Sequence, residues 1–236
     1  TLSEKRAQAV YDALVAEGME QEEALYKVLK ETIIASKNIR FEGDGYSEEW
    51  KEEAARRGLT NICHVPEAIM RFNDPQSRAV LIGENVFNEN ELMCRIEVEL
   101  EKFTKKVQIE SRILGDLAIN HIIPTAVTYQ NRLLENLRGL RETFSPEEYE
   151  ILGADRKELI KEIQYHILDI KRMVREMIEA RHIANRKPSQ EEKAYSYEEC
   201  VRPYMEKIRE HIDDLELEID DEIWPLPKYR ELLFNK

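Results

Sequence analysis

The sequence has few of the residues that loop-rich and disulfide-rich proteins use. Among 236 residues there are 8 glycines, 8 prolines and 3 cysteines. Low glycine and proline contents disfavour an all-β fold built on tight turns and favour long regular elements. Cys63, Cys94 and Cys200 are widely spaced and contain no Cys-x-x-Cys pair, which argues against a disulfide framework and a zinc-finger pattern. We expect three reduced thiols, as in a cytoplasmic protein.

Long apolar runs and clustered positive charge are also missing. No stretch approaches the roughly 20 apolar residues that a membrane-spanning helix needs, and no secretory signal peptide is recognisable. The net charge is −13, with acidic residues mixed among Lys and Arg, so neither nucleic acid nor an anionic membrane is expected as a partner. The chain starts at Thr1, without Met, inside a helical pattern, and we expect it to be a piece of a longer protein.

Helical periodicity is the main positive signal, and it appears first in short segments. Residues 1–87 are predicted to contain short helices and irregular segments, with apolar residues at helical spacing over 3–17 and 21–37. Gly43-Asp44-Gly45 marks a turn, since it lacks the third glycine and the preceding buried strand of a dinucleotide-binding loop. Further short helices are expected to begin at Ser47, Pro66 and Pro75.

Residues 88–236 are predicted to form a bundle of long helices. The first begins at Asn88, and its apolar residues alternate spacings of four and three, a heptad pattern found on both sides of Pro124. If continuous, this helix has about 55 residues and is about 80 Å long. The second ends near Asn185 and the third begins near Ser196. The predicted buried positions of the three helices are Leu92, Ile96, Leu100, Phe103, Val107, Glu110, Leu114, Leu117, His121, Leu133, Leu137, Leu140 and Phe144; Ile160, Ile163, Ile167, Ile170, Val174 and Met177; and Val201, Met205, Ile208, Ile212, Leu215 and Ile219.

Three long helices with narrow apolar faces and short connections bury those faces best against one another. We therefore predict an all-α fold: an antiparallel bundle of three long helices, the longest kinked at Pro124, with the shorter N-terminal helices packed on it. The apolar C-terminal tail is expected either to fold onto the bundle or to act as a docking strip. Its members are Trp224, Tyr229, Leu232, Leu233 and Phe234.

Pro124 interrupts the longest predicted helix. A proline inside a helix lacks the N–H donor, and its ring opposes the carbonyl of Asn120, so a kink or local unwinding is expected. The Thr125 hydroxyl can bond to the carbonyl of His121, and the polar side chains of Asn120 and His121 are placed to satisfy the freed backbone groups. We interpret this stretch as a bend in a scaffold rather than a ligand site.

Two pairs of Glu and His have spacings that place both residues on one helix face. Glu179 and His182 form the Glu-x-x-His motif of di-metal carboxylate bundles, but those proteins need a second copy of the motif, which is absent. Glu162 and His166, four residues apart, are interpreted as a surface ion pair. No metal-binding residue is therefore predicted, and a helix-bundle metalloprotein stays an alternative that elemental analysis would test.

His121 and Glu110 lie on the predicted seam, so we expect them to be buried polar groups. A hydrogen-bonded histidine that fixes the helix register is the preferred interpretation, and a functional switch is the alternative. The two residues are about 16 Å apart along one helix and cannot pair within it. The sequence contains no Gly-x-Ser-x-Gly motif and no Walker loop. No catalytic or cofactor-binding residue is predicted.

The first long helix carries a resemblance to a known family. The stretch VFNENELMCRIEVELEKFTKKVQIESRILGDLAINHIIPTAVTYQNRLLENLRGL resembles the helical C-terminal region of type III glutamine synthetases, the large bacterial and cyanobacterial form of the enzyme. RFEGDGYSEEWKEEAARRGL and the closing EIWPLPKYRELLF are similar to further blocks of the same region, in the same order. The resemblance covers nearly the whole chain from about Asn38.

The resemblance implies a cytoplasmic ligase that makes glutamine from glutamate, ammonia and ATP through γ-glutamyl phosphate, with Mg²⁺ holding the phosphates. The family forms dodecamers of two stacked hexameric rings, so the implied partners are the chain's own catalytic domain and neighbouring subunits. The family's metal, ATP and glutamate sites belong to β-grasp and barrel segments that precede this region. Residues 1–87 are then the link to an absent catalytic part, and no catalytic residue is carried over.

Two hypotheses follow. The leading one is a C-terminal structural domain that supports assembly of the enzyme and is not catalytic by itself. The alternative is a stand-alone helical protein–protein interaction module without catalytic activity. The reading frame upstream of Thr1 separates them: a catalytic barrel there favours the enzyme, and a nearby start codon favours the module.

Overall fold

All regular secondary structure in the described part of the chain is helical. The computed structural model describes residues 2–233, and within them every regular element is a helix. The predicted all-α fold is therefore confirmed. No helix in this range is both long and apolar enough to cross a lipid bilayer.

The α-helices connect through short turns and two wider helical segments. They are α1 (Leu2–Ala16), α2 (Gln21–Ala35), α3 (Glu48–Arg56), α4 (Val65–Met70), α5 (Pro75–Gly83), α6 (Glu89–Leu117), α7 (Ile123–Thr143), α8 (Pro146–Leu152), α9 (Ala154–Asn185), α10 (Gln190–Ser196), α11 (Arg202–Glu218) and α12 (Tyr229–Leu233). Lys37–Ile39 and Arg71–Asn73 are 3₁₀-helical, and Ala118–Ile122 and Tyr197–Val201 are π-helical.

The described residues fall into two compact units. The first comprises the chain up to Cys63 together with Asn73–Glu89, and the second comprises His64–Phe72 together with the chain from Asn90. The predicted division into domains 1–87 and 88–236, and the packing of the short helices on the bundle, stay predictions.

The first unit is built from short helices, of which the first two pack together. α1 contacts α2, and Ser47 caps α3 as predicted, because its Oγ accepts a hydrogen bond from the Trp50 N–H at 3.2 Å. Gly43-Asp44-Gly45 is a turn, in which Asp44 Oδ1 accepts from the backbone N–H two residues later at 2.9 Å. The turn therefore leads the chain into α3. The buried residues of this unit are Ala24, Val28 and Ala54.

The second unit is the long-helix bundle. α6, the π-helical turn Ala118–Ile122 and α7 form one helical run of 55 residues, the length predicted. α8 contacts both α7 and α9, and α9 packs along α7 after this reversal. After α9 the chain reverses direction a second time and enters α10 and α11, and both of these helices contact α9. This is the predicted antiparallel order of three long helices.

The predicted seams of α9 and α11 are confirmed, because their side chains form the core of the bundle. Met173 joins the predicted α9 positions, and Ile160 and Met205 are only partly buried. Fully or nearly fully buried members of these two seams are Ile163, Ile167, Ile170, Val174, Met177, Val201, Ile208, Ile212, Leu215 and Ile219.

The seam of the first long helix differs from the predicted heptad. Its buried residues recur at spacings of four, four and three: Ile96, Leu100, Thr104, Val107, Ser111, Gly115, Ala118 and Ile122. This eleven-residue repeat has about 3.67 residues per turn, close to a straight α-helix, whereas a heptad needs a supercoil. Thr104, Ser111 and Gly115 are small or polar, so a prediction that follows large apolar side chains passes over them.

Because of this register, the predicted burial of Glu110 and His121 is wrong. Both are exposed, and each lies one residue before a buried position, Ser111 or Ile122. The Glu110 carboxylate lies 4.0 Å from the Lys106 ammonium and is 49% exposed. Neither residue is a buried polar group that fixes the register.

The interruption before Pro124 is a π-helical turn. The Ile123 N–H donates to the carbonyl of Ala118, five residues back. The next residue, Pro124, has no N–H to donate, and its ring opposes the carbonyl of Asn120. The helix therefore widens by one residue directly before the proline. The same arrangement precedes Pro203, where the Arg202 N–H donates to a carbonyl five residues back. The local unwinding predicted at Pro124 is confirmed.

The polar residues beside Pro124 follow the prediction in part. Thr125 Oγ1 donates to the carbonyl of His121 at 2.9 Å, as predicted. Asn120 behaves differently, since its Nδ2 donates to Asp116 Oδ1 at 2.6 Å rather than to a freed backbone group. The Thr125 hydroxyl therefore compensates for a backbone hydrogen bond that the proline interrupts. The Asn120 amide stabilises the preceding helical turn.

The third helical run begins earlier than predicted. α10 starts at Gln190 after Ser189, whose Oγ accepts from the Glu192 N–H at 3.1 Å as a side-chain cap. The predicted start near Ser196 was wrong because the first turn, Gln-Glu-Glu-Lys, is polar and carries no apolar periodicity. The cap, rather than burial, sets the beginning of this helix.

The C-terminal tail divides between the two predicted alternatives. Trp224 is 8% exposed and belongs to the core of the bundle. Leu232 and Leu233 are 65% and 61% exposed. The start of the tail therefore folds onto the bundle and its later apolar residues face solvent. Phe234 and the side chain of Tyr229 lie outside the described residues.

Candidate functional site

Two histidines face each other where α9 packs on α11. His166 lies on α9 and His211 on α11, and their Nδ1 atoms are 2.8 Å apart. The ring centroids are 5.0 Å apart in an edge-on arrangement, and both residues are half-buried. With both rings neutral, one Nδ1 donates a hydrogen bond and the other accepts it.

Carboxylates extend this pair on both helices. Asp214 follows His211 by three residues and shares its helix face. One ligand atom from each histidine and from Asp214 all lie within 4.8 Å of one another. Glu162 precedes His166 by four residues, and Glu218 follows Asp214 by four, so both lie along the same faces. Imidazole nitrogens with a carboxylate oxygen are donors that can hold a transition-metal ion.

The cluster carries an excess of negative charge. Glu218 Oε2 is buried and has no hydrogen-bond partner among the described residues. Burial, followed by the negative charges of Glu162 and Asp214, raises the pKa of the Glu218 carboxyl above its usual value. Among the side chains that the structure describes, no Lys or Arg forms an ion pair with Glu162, Asp214 or Glu218. The cluster therefore has carboxylates without a compensating cation.

The structure separates the two Glu–His pairs that the sequence singled out. Glu162 and His166 belong to the cluster, where His166 bonds to His211 rather than forming the predicted surface ion pair. Glu179 and His182 are both exposed, with 3.9 Å between Glu179 Oε2 and His182 Nδ1. The Glu-x-x-His motif thus lies on the solvent face near the end of α9, apart from the cluster.

His211 and Asp214 were not among the residues expected to matter. A signal for them exists, because His211, Asp214 and Glu218 recur at helical spacing beside the predicted seam of α11. This spacing becomes a site only against a particular face of α9, and the periodicity of α11 alone does not indicate which face of α9 packs on it.

A second polar group links three helical segments in the core. Tyr197, in the second π-helical turn, is fully buried, and its hydroxyl donates to Asn185 Oδ1 at 2.8 Å. Gln108 of α6 donates from Nε2 to the Tyr197 oxygen at 3.2 Å. These bonds tie α6, the end of α9 and the π-helical turn together, so we assign the group a structural role.

A buried glutamate of the bundle contacts the residue that precedes α4. The Glu198 side chain is 5% exposed and accepts from Arg202 Nη1 at 3.0 Å. His64, directly before α4, places its Nδ1 2.9 Å from Glu198 Oε1. Since Glu198 lies in the second π-helical turn, that turn presents two buried polar side chains to different neighbours.

A groove of about 510 Å³ lies between α9 and the beginning of α11. It exposes Cys200, which is a free thiol like Cys63 and Cys94, as predicted. Charged side chains line the groove beside the thiol, and on α9 Arg172 forms an ion pair with Glu176. Further lining residues are Glu199, Tyr204 and Lys207.

A family model matches half of the chain. Residues 24–141 match the model described as the glutamine synthetase C-terminal domain. The match covers most of the first compact unit, all of α6 and most of α7.

Three relatives carry related names. The chain is 70% identical over 228 residues to a protein of Bacteroides fragilis called glutamine synthetase, covering 97% of this chain and 31% of that protein. It is 28% identical over 217 residues to the type-3 glutamine synthetase of Dictyostelium discoideum, covering 89% of this chain and 29% of that protein. A glutamine synthetase of Butyrivibrio fibrisolvens is 32% identical over 120 residues, which is 51% of this chain and 17% of that protein. The chain thus spans less than a third of the length of each relative.

Proposed function

The chain belongs to the family of glutamine synthetase C-terminal domains, and from this premise we propose that it is the helical C-terminal domain of a type III glutamine synthetase. Its role is assembly: it packs against the catalytic domain and supports contacts between subunits of a homo-oligomer, a dodecamer in this family. The enzyme makes glutamine from glutamate, ammonia and ATP through γ-glutamyl phosphate, with Mg²⁺, in the cytoplasm. The residues that bind ATP, Mg²⁺ and glutamate lie outside this chain.

An exposed apolar face on α2 is the observation that carries this proposal. Leu25, Leu29 and Ile33 follow one another at four-residue spacing and are 51%, 52% and 54% exposed. Tyr26 and Ile34, at 67% and 63%, widen the face. Contiguous apolar side chains in water are unfavourable, and such patches are typical of surfaces that another protein element covers. Residues of α2 also lie within the matched family segment.

The test is the mass of the full-length enzyme that contains this chain. We expect Leu25→Gln combined with Leu29→Gln to lower the oligomer mass measured by light scattering and to reduce glutamine formation. Each substitution removes apolar contact area from the proposed interface without adding charge.

The matched control combines Lys27→Gln with Glu31→Gln, two exposed polar positions of the same helix whose loss leaves the net charge unchanged. This control should keep the mass and the activity of the parent enzyme. An unchanged mass in the Leu25 and Leu29 double variant would overturn the assembly role of this face.

The same apolar face also fits the second candidate, a stand-alone helical protein–protein interaction module without catalytic activity. The two candidates differ in the gene. A reading frame that continues upstream of Thr1 into a catalytic barrel supports the enzyme domain, and a start codon directly upstream supports the module.

A further inference from the structure

We propose that His166, His211 and Asp214 form a binding site for one divalent transition-metal ion of the Zn²⁺ class, which bridges α9 and α11. It departs from the prediction, made from the sequence, that this chain holds no metal-binding residue.

The positions of the donor atoms fit such an ion. Two ring nitrogens that both bind Zn²⁺ at about 2.0–2.1 Å in a tetrahedral site are about 3.3 Å apart. The Nδ1 atoms of His166 and His211 are 2.8 Å apart, so a movement of about half an ångström, within side-chain rotation, admits the ion. The ion then replaces the hydrogen bond between the rings, with each nitrogen binding through its lone pair.

Asp214 supplies the third ligand. All three donor atoms already lie within 4.8 Å of one another, and Asp214 is exposed, so its carboxylate is free to turn toward the rings. Three protein ligands leave one tetrahedral position for water.

The charge of the surroundings favours a cation. Glu162 and Glu218 flank the three ligands on the same two helix faces, and the buried Oε2 of Glu218 has no hydrogen-bond partner in the described chain. A divalent ion placed between the histidines would offset part of the repulsion among these carboxylates. Such an ion stabilises the folded chain because it binds groups from two helices at once.

The donor set selects the class of metal. Mg²⁺ and Ca²⁺ prefer sites made entirely of oxygen ligands, whereas two imidazole nitrogens suit Zn²⁺, Co²⁺, Ni²⁺ and Cu²⁺. Co²⁺ is a useful probe of this site, because its visible absorption reports the number and type of ligands, which Zn²⁺ does not.

The experiment uses the tag-free 236-residue chain, stripped with a chelator and titrated with Co²⁺ and then Zn²⁺. We expect one equivalent of Co²⁺ to give a saturable visible spectrum typical of nitrogen and oxygen ligands, which Zn²⁺ then abolishes. One equivalent of Zn²⁺ should raise the unfolding temperature. A wild-type chain without saturable one-to-one binding would overturn the proposal.

Two variants and two matched controls assign the site. His166→Gln and Asp214→Asn should each weaken Zn²⁺ binding at least about tenfold. His182→Gln, an exposed histidine of the same helix, and Asp213→Asn, the exposed neighbour of Asp214, should bind as the wild type does. Because Asp214 is exposed, its variant is expected to fold even if the His166 variant does not, and circular dichroism checks both. Binding that is equal in all four variants would place the metal elsewhere, for example on the exposed thiols, and would refute the proposal.

Discussion

Gly115 lies on the buried face of α6, opposite α9, and its position makes a specific test of the core possible. A Cβ added there would lie 3.5 Å from Met177 Cε and 3.6 Å from Val174 Cγ1, which are ordinary contact distances. Glycine inside a helix costs about 0.5–1 kcal/mol relative to alanine. We therefore expect Gly115→Ala to raise the free energy of unfolding by about 0.5–1 kcal/mol, measured by urea titration.

Two other glycines are controls for this substitution. At Gly139, in α7, an added Cβ meets nothing within 4 Å, so Gly139→Ala tests helix propensity without packing. At Gly153, an added Cβ would lie 3.0 Å from the Tyr149 carbonyl oxygen and from Leu137 Cδ2, so Gly153→Ala should destabilise the chain. A Gly115→Ala variant that is less stable than the wild type would contradict the packing described for α6 and α9.

Glu53 gives a prediction about pH at the surface of the first unit. Hydrogen bonds from Arg56 and Arg57 lower the pKa of the Glu53 carboxyl from 4.5 to about 2. A carboxyl whose pKa is lower in the folded state stabilises the fold above its unfolded pKa. The contribution of Glu53 is therefore complete above about pH 4.5 and is lost as the pH falls toward 2.

We expect Arg56→Gln to raise the pKa of Glu53 toward 4.5, because it removes the hydrogen bond that lowers this pKa most. Carbon-13 NMR titration of the Glu side chains measures this pKa directly. Lys51→Gln is the matched control, since Lys51 lies on the same helix and pairs with Glu48 rather than Glu53. Equal pKa values of Glu53 in the wild type and the Arg56→Gln variant would contradict the assignment.

Single residues were predictable from the sequence where the signal is local. Ser47 forms the predicted helix start, with its Oγ accepting a hydrogen bond from the Trp50 N–H. The prediction that Glu110 and His121 are buried was wrong, because it depended on the register of a whole helix. A change from a heptad to an eleven-residue repeat moves the seam by one residue within a few turns.

Helical elements depend on how the chain accommodates proline. Both prolines inside the long helical runs, Pro124 and Pro203, follow a π-helical turn that widens the backbone by one residue. Replacing Pro124 with Ala restores an N–H donor opposite the Asn120 carbonyl, so the wider turn is no longer required by the backbone. We expect Pro124→Ala to convert residues 118–122 to α-helix and to straighten the run, as seen in a crystal structure.

Pro203→Ala is the companion variant, because it makes the same change in the other long run. Loss of the second π-helical turn in that variant, with the first retained, shows that each proline controls its own turn. A Pro124→Ala structure with the turn unchanged would refute this account. The packing of Ile122 and Ile123, which are adjacent in sequence and both buried, would then be its cause.

The elements and their antiparallel order were largely predictable, and the rotation of each helix relative to its neighbour was not. Apolar periodicity placed α9 and most of α11 correctly, because each helix buries one continuous face. The contact between His166 and His211 depends on the rotation of two helices about their axes, and the sequence of either helix leaves that rotation open. The spacing of Glu162 and His166 on α9 indicated only a surface ion pair, so the candidate site was not predicted from the sequence.

At the scale of the whole molecule, the chain combines a well-filled bundle with a large exposed apolar surface. α9 and α11 bury continuous seams, yet the apolar face of α2 and the residues Ile151 and Leu217, at 78% and 86% exposed, remain in contact with solvent. Such a distribution supports the proposed assembly role. The chain spans 31% of the length of the Bacteroides fragilis protein.

The assembly role leads to a prediction about ligands of the isolated chain. Under the proposed function, the residues that hold ATP and glutamate are expected in segments outside this chain, and a net charge of −13 disfavours a highly anionic nucleotide. We expect titration calorimetry with ATP and Mg²⁺, and separately with glutamate, to give only heats of dilution, while the full-length enzyme gives a saturable isotherm. Saturable binding of ATP by the isolated chain would mean that part of the nucleotide site lies within these helices, and the purely structural role would have to be abandoned.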